Sequence, residues 1–254
     1  ITYDPTGPYK NGETVIITAT FNEDMADSPN LRISIAGSVG VLVNRSHMAR
    51  KSATKYTYDY LIPTGDYTDA TITLSVGTDL AGNVITTVPT SGAVFVIDNT
   101  APEITLDGEN PFNIYIGSTI SVPGVNATDN LDSSVTVETT ITHSSGNTID
   151  PLAPLDTSTI GTYTFTYTAT DTAGNVTEVT RIVNVTYYTF ENNTNSLRTA
   201  VDYWLLNESA ALNYFGEINS WNTINIEDMS SLFNAQRIGI YDADENFTKA
   251  AEVS

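Results

Sequence analysis

Oxygen-ligand chemistry is the chemistry in which this sequence is richest. Asp98, Asn99 and Glu103 fall within "VIDNTAPEITL", Asp129 and Asp132 within "TDNLDSS", and Asp171 within "TDTAGN". A second set, Asp4, Glu23, Asp24 and Asp79, occupies comparable stretches nearer the N-terminus. Carboxylates, side-chain amides and loop carbonyls are what calcium takes, roughly six to eight oxygens at a time. Each set is a candidate calcium site, provided that the fold gathers its members. The competing account is that these acids cap turns and carry solvated charge. It covers Asp79 and Asp171 well, because each precedes a turn whose amides its carboxylate can accept. It covers the pair Asp129 and Asp132 less well.

Other chemistries find little material. There is no cysteine, which excludes disulfides, thiolate metal sites and thiol catalysis. Neither His47 nor His143 has an acid and a nucleophile beside it, and no phosphate loop or zinc motif occurs. A distant carboxylate pair of the glycosidase kind needs a cleft that small sandwiches seldom offer. No enzyme activity is expected. With 30 acidic and 10 basic side chains, a net charge of −20, the chain is repelled by phosphate backbones and anionic lipid. Nucleic acid is therefore not an expected partner. No stretch approaches the apolar run of about 20 residues that spans a bilayer, so no membrane insertion is expected. The chain opens at Ile1 without a signal peptide and reads as a mature product or an excised fragment.

The elements that must position these acids are strands. "TVIITATF" sets Val15, Ile17, Ala19 and Phe21 on one face, and "YTYDY" does the same with Tyr56, Tyr58 and Tyr60. "ATITLSV" aligns Ile72, Leu74 and Val76, and "TYTFTYTAT" aligns Tyr163, Phe165, Tyr167 and Ala169 against a row of threonines. Short alternating runs of β-branched and aromatic residues, punctuated by Gly, Pro, Asn and Asp, indicate antiparallel sandwiches. "TDLAGNV" and "TDTAGNV" repeat at an interval of 92 residues, Asp79 against Asp171. A period near 90 is that of one immunoglobulin-like sandwich. The motif reads as the hairpin between the last two strands, with Gly82 and Gly174 at positive φ and the aspartates capping the turn.

This organisation puts "DNTAP" after the last strand of one sandwich and before the first strand of the next, with Pro102 removing a ladder donor. In such a sandwich the loops holding Asp129, Asp132 and Asp171 lie at the end where the chain enters, beside Asp98, Asn99 and Glu103. Past Val185 the period changes. "NSLRTAVDYWLLN" places Leu197, Ala200, Val201, Trp204 and Leu205 at helical spacing, with Asn195 or Ser196 as N-cap. "INSWNTINIEDMSSLF" alternates Ile218, Trp221, Ile224 and Ile226 before a short turn or helix over 228–233. The expected class is mainly β: sandwiches over 1–98 and 99–187, and a small α+β unit over 188–254.

Several stretches also resemble known families. "PEITLDGENPFNIYIGSTISVPGVNATDNLDSSVTV…IGTYTFTYTATDTAGNVTEVTRIVNV" resembles a bacterial immunoglobulin-like surface repeat. "KNGETVIITATFNEDM…ATITLSVGTDLAGN…FVIDNTAP" is similar to another such repeat, found in tandem in large adhesins. The tail, "LRTAVDYWLLNES…INSWNTINIEDMSSLF", resembles the start of a BspA-like leucine-rich surface domain. The resemblance implies an extracellular, non-catalytic, structural or adhesive segment at a cell surface. Its partners would be other domains of the same long protein, identical subunits, surface glycans, or host and cell-surface proteins. Two alternatives stand beside it: a fibre, decoration or filament subunit of a phage virion or cell envelope, and a carbohydrate-binding module.

Overall fold

The computed structural model describes residues 1–38, 40–119, 121–190, 194–226, 229, 240–241 and 247–248. The first sandwich uses β1 (Thr2–Asp4), β2 (Thr14–Thr20), β3 (Arg32–Gly37), β4 (Gly40–His47), β5 (Ala49–Arg50), β6 (Lys55–Leu61), β7 (Tyr67–Ser75) and β8 (Val94–Ile97). They form two four-stranded sheets, ordered β1-β2-β6-β5 and β4-β3-β7-β8. The period-two alternation decides which side chains lie between them. Val15, Ile17 and Ala19 of β2 face inward with Tyr56 and Tyr60 of β6. Ile33, Ile35, Ile72, Leu74, Phe95 and Ile97 come from the other sheet. Burial of side chains this size contributes about 1.5–3 kcal/mol each before the entropy of ordering is charged against it.

One strand ends earlier than its pattern suggests. Val76 does not continue the face of Ile72 and Leu74: it takes φ +75° and β7 stops at Ser75. A β-branched residue at positive φ cannot stay in a ladder. The chain from 76 to 93 is therefore largely irregular. In this copy "TDLAGNV" closes a turn through the Thr78–Val84 bridge, but β8 begins only at Val94.

The second sandwich uses β9 (Glu103–Leu106), β10 (Phe112–Tyr115), β11 (Val125–Thr128), β12 (Thr136–His143), β13 (Thr148–Ile149), β14 (Gly161–Thr170) and β15 (Val176–Thr186). A five-stranded sheet runs β10-β15-β14-β12-β13, with β10 parallel to β15, and β11 pairs with β9. Tyr163, Phe165, Tyr167 and Ala169 are buried, as the alternation of β14 requires. Here "TDTAGNV" joins β14 directly to β15. The intervening threonines occupy the other face, half-buried, and Thr162 donates to Asn184 Oδ1 at 3.1 Å.

The tail folds as α1 (Thr194–Leu206) and α2 (Glu208–Phe215), then a single 3₁₀ turn at Ile218–Ser220. Two strands of two residues each, β16 (Ile240–Tyr241) and β17 (Phe247–Thr248), pair antiparallel. Phe190, Leu197, Ala200 and Val201 form its core, with Phe215, Trp221 and Ile226 packed against it. Leu205 departs from its expected burial, at 68% exposed, and Ile224 does likewise at 83%. The helix begins at Thr194, so Asn195 and Ser196 lie in its first turn rather than capping it. Asn207 caps α2, accepting from the Ala210 amide at 3.1 Å. Gly216 follows at φ +71°, where a Cβ would stand 2.8 Å from the Ile116 carbonyl oxygen. The turn or helix expected over 228–233 lies outside the described residues, Met229 apart. Among the described residues no helix is long and apolar enough to cross a membrane.

Packing divides the chain into two compact units. One comprises Ile1–Ile104, Ala127–Val137 and Ala169–Thr177; the other comprises Thr105–Asn126, Glu138–Thr168 and Glu178–Ser254. The acid-bearing loops 127–137 and 169–177 thus belong to the same unit as the linker that begins at Asp98.

Candidate functional site

The repeated turn is the best-defined polar structure in that first unit. Asp79 Oδ1 accepts the Asn83 amide at 2.8 Å, and Oδ2 accepts Asn83 Nδ2 at 2.7 Å. Asp171 treats Asn175 identically, at 2.7 Å for both bonds. Each turn also closes through its backbone, and Gly82 and Gly174 adopt φ of +88° and +84°. The Asn83 side chain, then its backbone amide, hold the Asp79 carboxyl below its ordinary range. The expectation that these aspartates cap their own turns holds, and it commits both oxygens of each.

In the second copy the asparagine has an additional partner. Asn175 Nδ2 also donates to the Asp98 carbonyl at 2.9 Å. Asp98 itself is 2% exposed, its amide donates to the Tyr9 carbonyl at 2.8 Å, and its Oδ1 accepts the Thr100 amide at 3.2 Å. Burial pushes the Asp98 carboxyl up to about 6; the Thr100 amide pulls the other way, and the charges of Asp171, Asp129 and Asp66 add to the rise. Asp98 is therefore close enough to Asp171, Asp129 and Asp66 to feel their charges. Asp129 Oδ1 accepts the amides of Leu131 and Asp132 at 2.8 and 2.9 Å, while its buried Oδ2 has no partner. Asp132 Oδ2 ties the two loops, accepting the Thr172 amide at 2.6 Å and its hydroxyl at 2.7 Å.

The other predicted ligands are placed elsewhere. Asn99 turns to the first sandwich, donating Nδ2 to the carbonyls of Pro63 and Gly65 and accepting the Asn11 amide. Glu103 is exposed at the start of β9. In the second set, the Asp24 carbonyl accepts the amide of Leu80, the residue after Asp79, at 3.3 Å, and Glu23 and Asp24 are both exposed. Register sets Asp4 opposite Ile16. That is about 13 Å along β2 from Thr20, after which Glu23 and Asp24 follow. Among the described residues no group of three or more acidic or histidine side chains is arranged to hold a metal ion. Five of the acids, Asp79, Asp98, Asp129, Asp132 and Asp171, accept hydrogen bonds through their carboxylates.

Residues not singled out in the sequence complete the arrangement. Asp66 accepts the Asn99 amide at 2.6 Å, the Thr100 hydroxyl, and Asn130 Nδ2 at 3.0 Å. Partial desolvation works against the Asp66 charge, yet Thr100, Asn99 and Asn130 together hold its carboxyl below the usual range. Lys10 donates to the Gly174 carbonyl. The asparagine recurs in both copies of the motif, a signal that assigning only its aspartate and glycine passed over; Asp66, Asn130 and Lys10 carry none.

No curated protein matches the chain. Among solved structures, fibronectin(III)-like modules of Clostridium thermocellum CbhA align at 15% identity and a TM-score of 0.34, covering 73% of this chain and 93% of theirs. The IG1+IG2 pair of DIP-gamma aligns at 11% identity and a TM-score of 0.37, covering 70% of this chain and 92% of its own. At these scores the likeness is remote, and the strand pairing described above is what defines the sandwiches. No match supports a BspA-like domain in the tail, whose described residues form two helices, a 3₁₀ turn and a short strand pair. Residues 104–185, the second sandwich, match the family described as Bacterial surface protein, Ig-like domain.

Proposed function

We propose that this chain is a non-enzymatic structural or adhesive segment of a bacterial surface protein. The family match over the second sandwich carries the reading. The recurrence of one turn, with one hydrogen-bond scheme, in the preceding sandwich supports extending it across both. Such a segment spaces or presents neighbouring domains of a longer protein outside the cell, and its outward faces meet surface glycans or cell-surface proteins. Analytical ultracentrifugation tests it against the filament alternative. A monomer at micromolar concentration fits a spacer or adhesive segment, whereas concentration-dependent growth into long assemblies favours a fibre or filament subunit.

Calcium at Asp98, Asp129 and Asp171 is the second reading, favoured by the unpartnered, buried Asp129 Oδ2 among like charges. Binding would require these side chains to turn together, since they do not stand as a metal-holding group. Extracellular calcium modules bind with dissociation constants of about 10⁻⁴–10⁻³ M. At roughly ten times such a constant the ion adds about 1.4 kcal/mol. Thermal unfolding in millimolar calcium and in chelator, for the parent and for Asp129→Ala/Asp132→Ala, decides. A rise confined to the parent supports the site; equal curves remove it.

A further inference from the structure

A cavity of about 410 Å³ opens within the first compact unit, beside β8. Its wall carries Tyr3, Tyr9 and Phe95, with Leu131 from the loop between β11 and β12. The rings contact one another, at centroid separations of 5.4 Å for Tyr3–Phe95 and 6.0 Å for Tyr9–Phe95. Tyr9 and Phe95 are buried, while Tyr3 is half-buried and lines the cavity with them. The Tyr3 hydroxyl donates to the Gly92 carbonyl, which fixes the ring. The charged residues lining the cavity are Asp98 and Asp132, and no basic residue lines it. Asp132 commits Oδ2 to Thr172, which orients the carboxylate and leaves Oδ1 available.

We infer that this cavity receives a lysine or arginine side chain from a partner protein. The walls match the two parts of such a side chain. An apolar stem lies against the aromatic face, and the cationic head gains from the ring quadrupole and from the carboxylate of Asp132. A neutral apolar guest would leave the acids without a counter-charge, and an anionic one would be repelled by them. The whole chain, at −20, draws basic partners toward it at long range. The adhesive reading supplies the setting, but the pocket binds or fails to bind whether or not that reading stands.

The test uses the full chain, in chelator, titrated with acetyl-Gly-Arg-Gly-amide and with its glutamine counterpart while tyrosine and amide NMR signals are followed. Saturable shifts of Tyr3 and Asp132 with the arginine peptide alone are expected. Tyr3→Leu and Asp132→Asn should each weaken binding about fivefold or more, in line with a partly desolvated cation–π contact and a carboxylate partner. Asp59→Asn, at an exposed position of β6, serves as control for diffuse attraction to the acidic surface. Equal binding of the glutamine peptide, insensitivity to Tyr3→Leu and Asp132→Asn, or equal loss with Asp59→Asn overturns the proposal. Unchanged unfolding temperatures of the variants separate loss of binding from loss of fold.

Discussion

The side-chain amide of Asn175 donates to the backbone carbonyl of Asp98 at 2.9 Å, across 77 positions of sequence. The same amide closes its own turn on Asp171, so one nitrogen serves a local and a long-range contact. Asn83, its counterpart in the first copy, makes the local contacts alone. Alanine at either position should open a turn and cost about 1–2 kcal/mol, because a buried acceptor loses its donor. Asn175→Ala should cost about 1 kcal/mol more than Asn83→Ala, the worth of one further hydrogen bond. Denaturant unfolding of the two variants measures the difference directly. Equal losses would mean that the contact with Asp98 contributes nothing to stability.

Asp98 predicts a pH dependence of definite sign. Its carboxyl rises from an ordinary 3.8 to about 6 in the folded chain. Between those values the folded protein holds a proton that the unfolded chain has released. Stability from this group is therefore present below about pH 4 and declines as pH rises toward 6. After relaxation and water access, a loss on the order of 1–2 kcal/mol is expected. Asp98→Asn, which keeps the shape and removes the charge, should flatten this part of the profile and raise stability at pH 7. Thermal unfolding from pH 4 to pH 7 tests it, and a variant no more stable than the parent at pH 7 contradicts it.

Arg181 is fully buried and is held by carbonyls: Pro123 on Nη1, Asp107 and Gly124 on Nη2. Among the described residues no carboxylate pairs with it, and its Nε has no partner. The guanidinium thus pins the stretches around 107 and 124 to β15. Arg181→Ala should cost on the order of 3 kcal/mol or more, since it leaves a cavity and several dry carbonyls. Lysine cannot reproduce the fork and should recover only part of the loss. Urea unfolding of both variants, with amide exchange at 107 and 124, provides the check.

Asn207 gives a smaller prediction. Its side chain caps α2 through the Ala210 amide, so Asn207→Ala should lower the stability of the tail by about 1 kcal/mol, and Asn207→Gly by only a few tenths. Helical circular dichroism during thermal unfolding follows this locally. No difference between alanine and glycine would mean that the cap is not what starts the helix.

The strand faces were legible because each is written in consecutive residues. Tyr163, Phe165 and Tyr167 alternate with threonine, and a pleated strand can bury only one of those sets. The turn was legible for the same reason, since its asparagine lies four positions from its aspartate. Contacts such as Asp66 with Asn130 or Lys10 with Gly174 span 64 and 164 positions. Nothing local marks a residue for a partner so distant. Among the described residues the candidate calcium sets do not stand as metal-holding groups, because residues on one end of a sandwich still have private obligations. Asn99 satisfies the carbonyls at 63 and 65, and Asp171 satisfies Asn175. Val76 and Leu205 mark the limit of periodicity: a pattern continues on paper after the backbone has turned or the neighbouring surface has ended.

The repeated turn has a consequence for how a chain of this kind can change over time. Because aspartate and asparagine complete each other within five residues, the turn is a portable part, and copying a sandwich copies it whole. The long-range bond to Asp98 makes no demand on the partner's side chain, since a backbone carbonyl is offered by every residue. A duplicated module can thus acquire a latch to whatever sequence precedes it without any matching substitution there. Drift in the linker is tolerated as long as its backbone path is kept, whereas replacement of the asparagine undoes the turn and the latch in a single step.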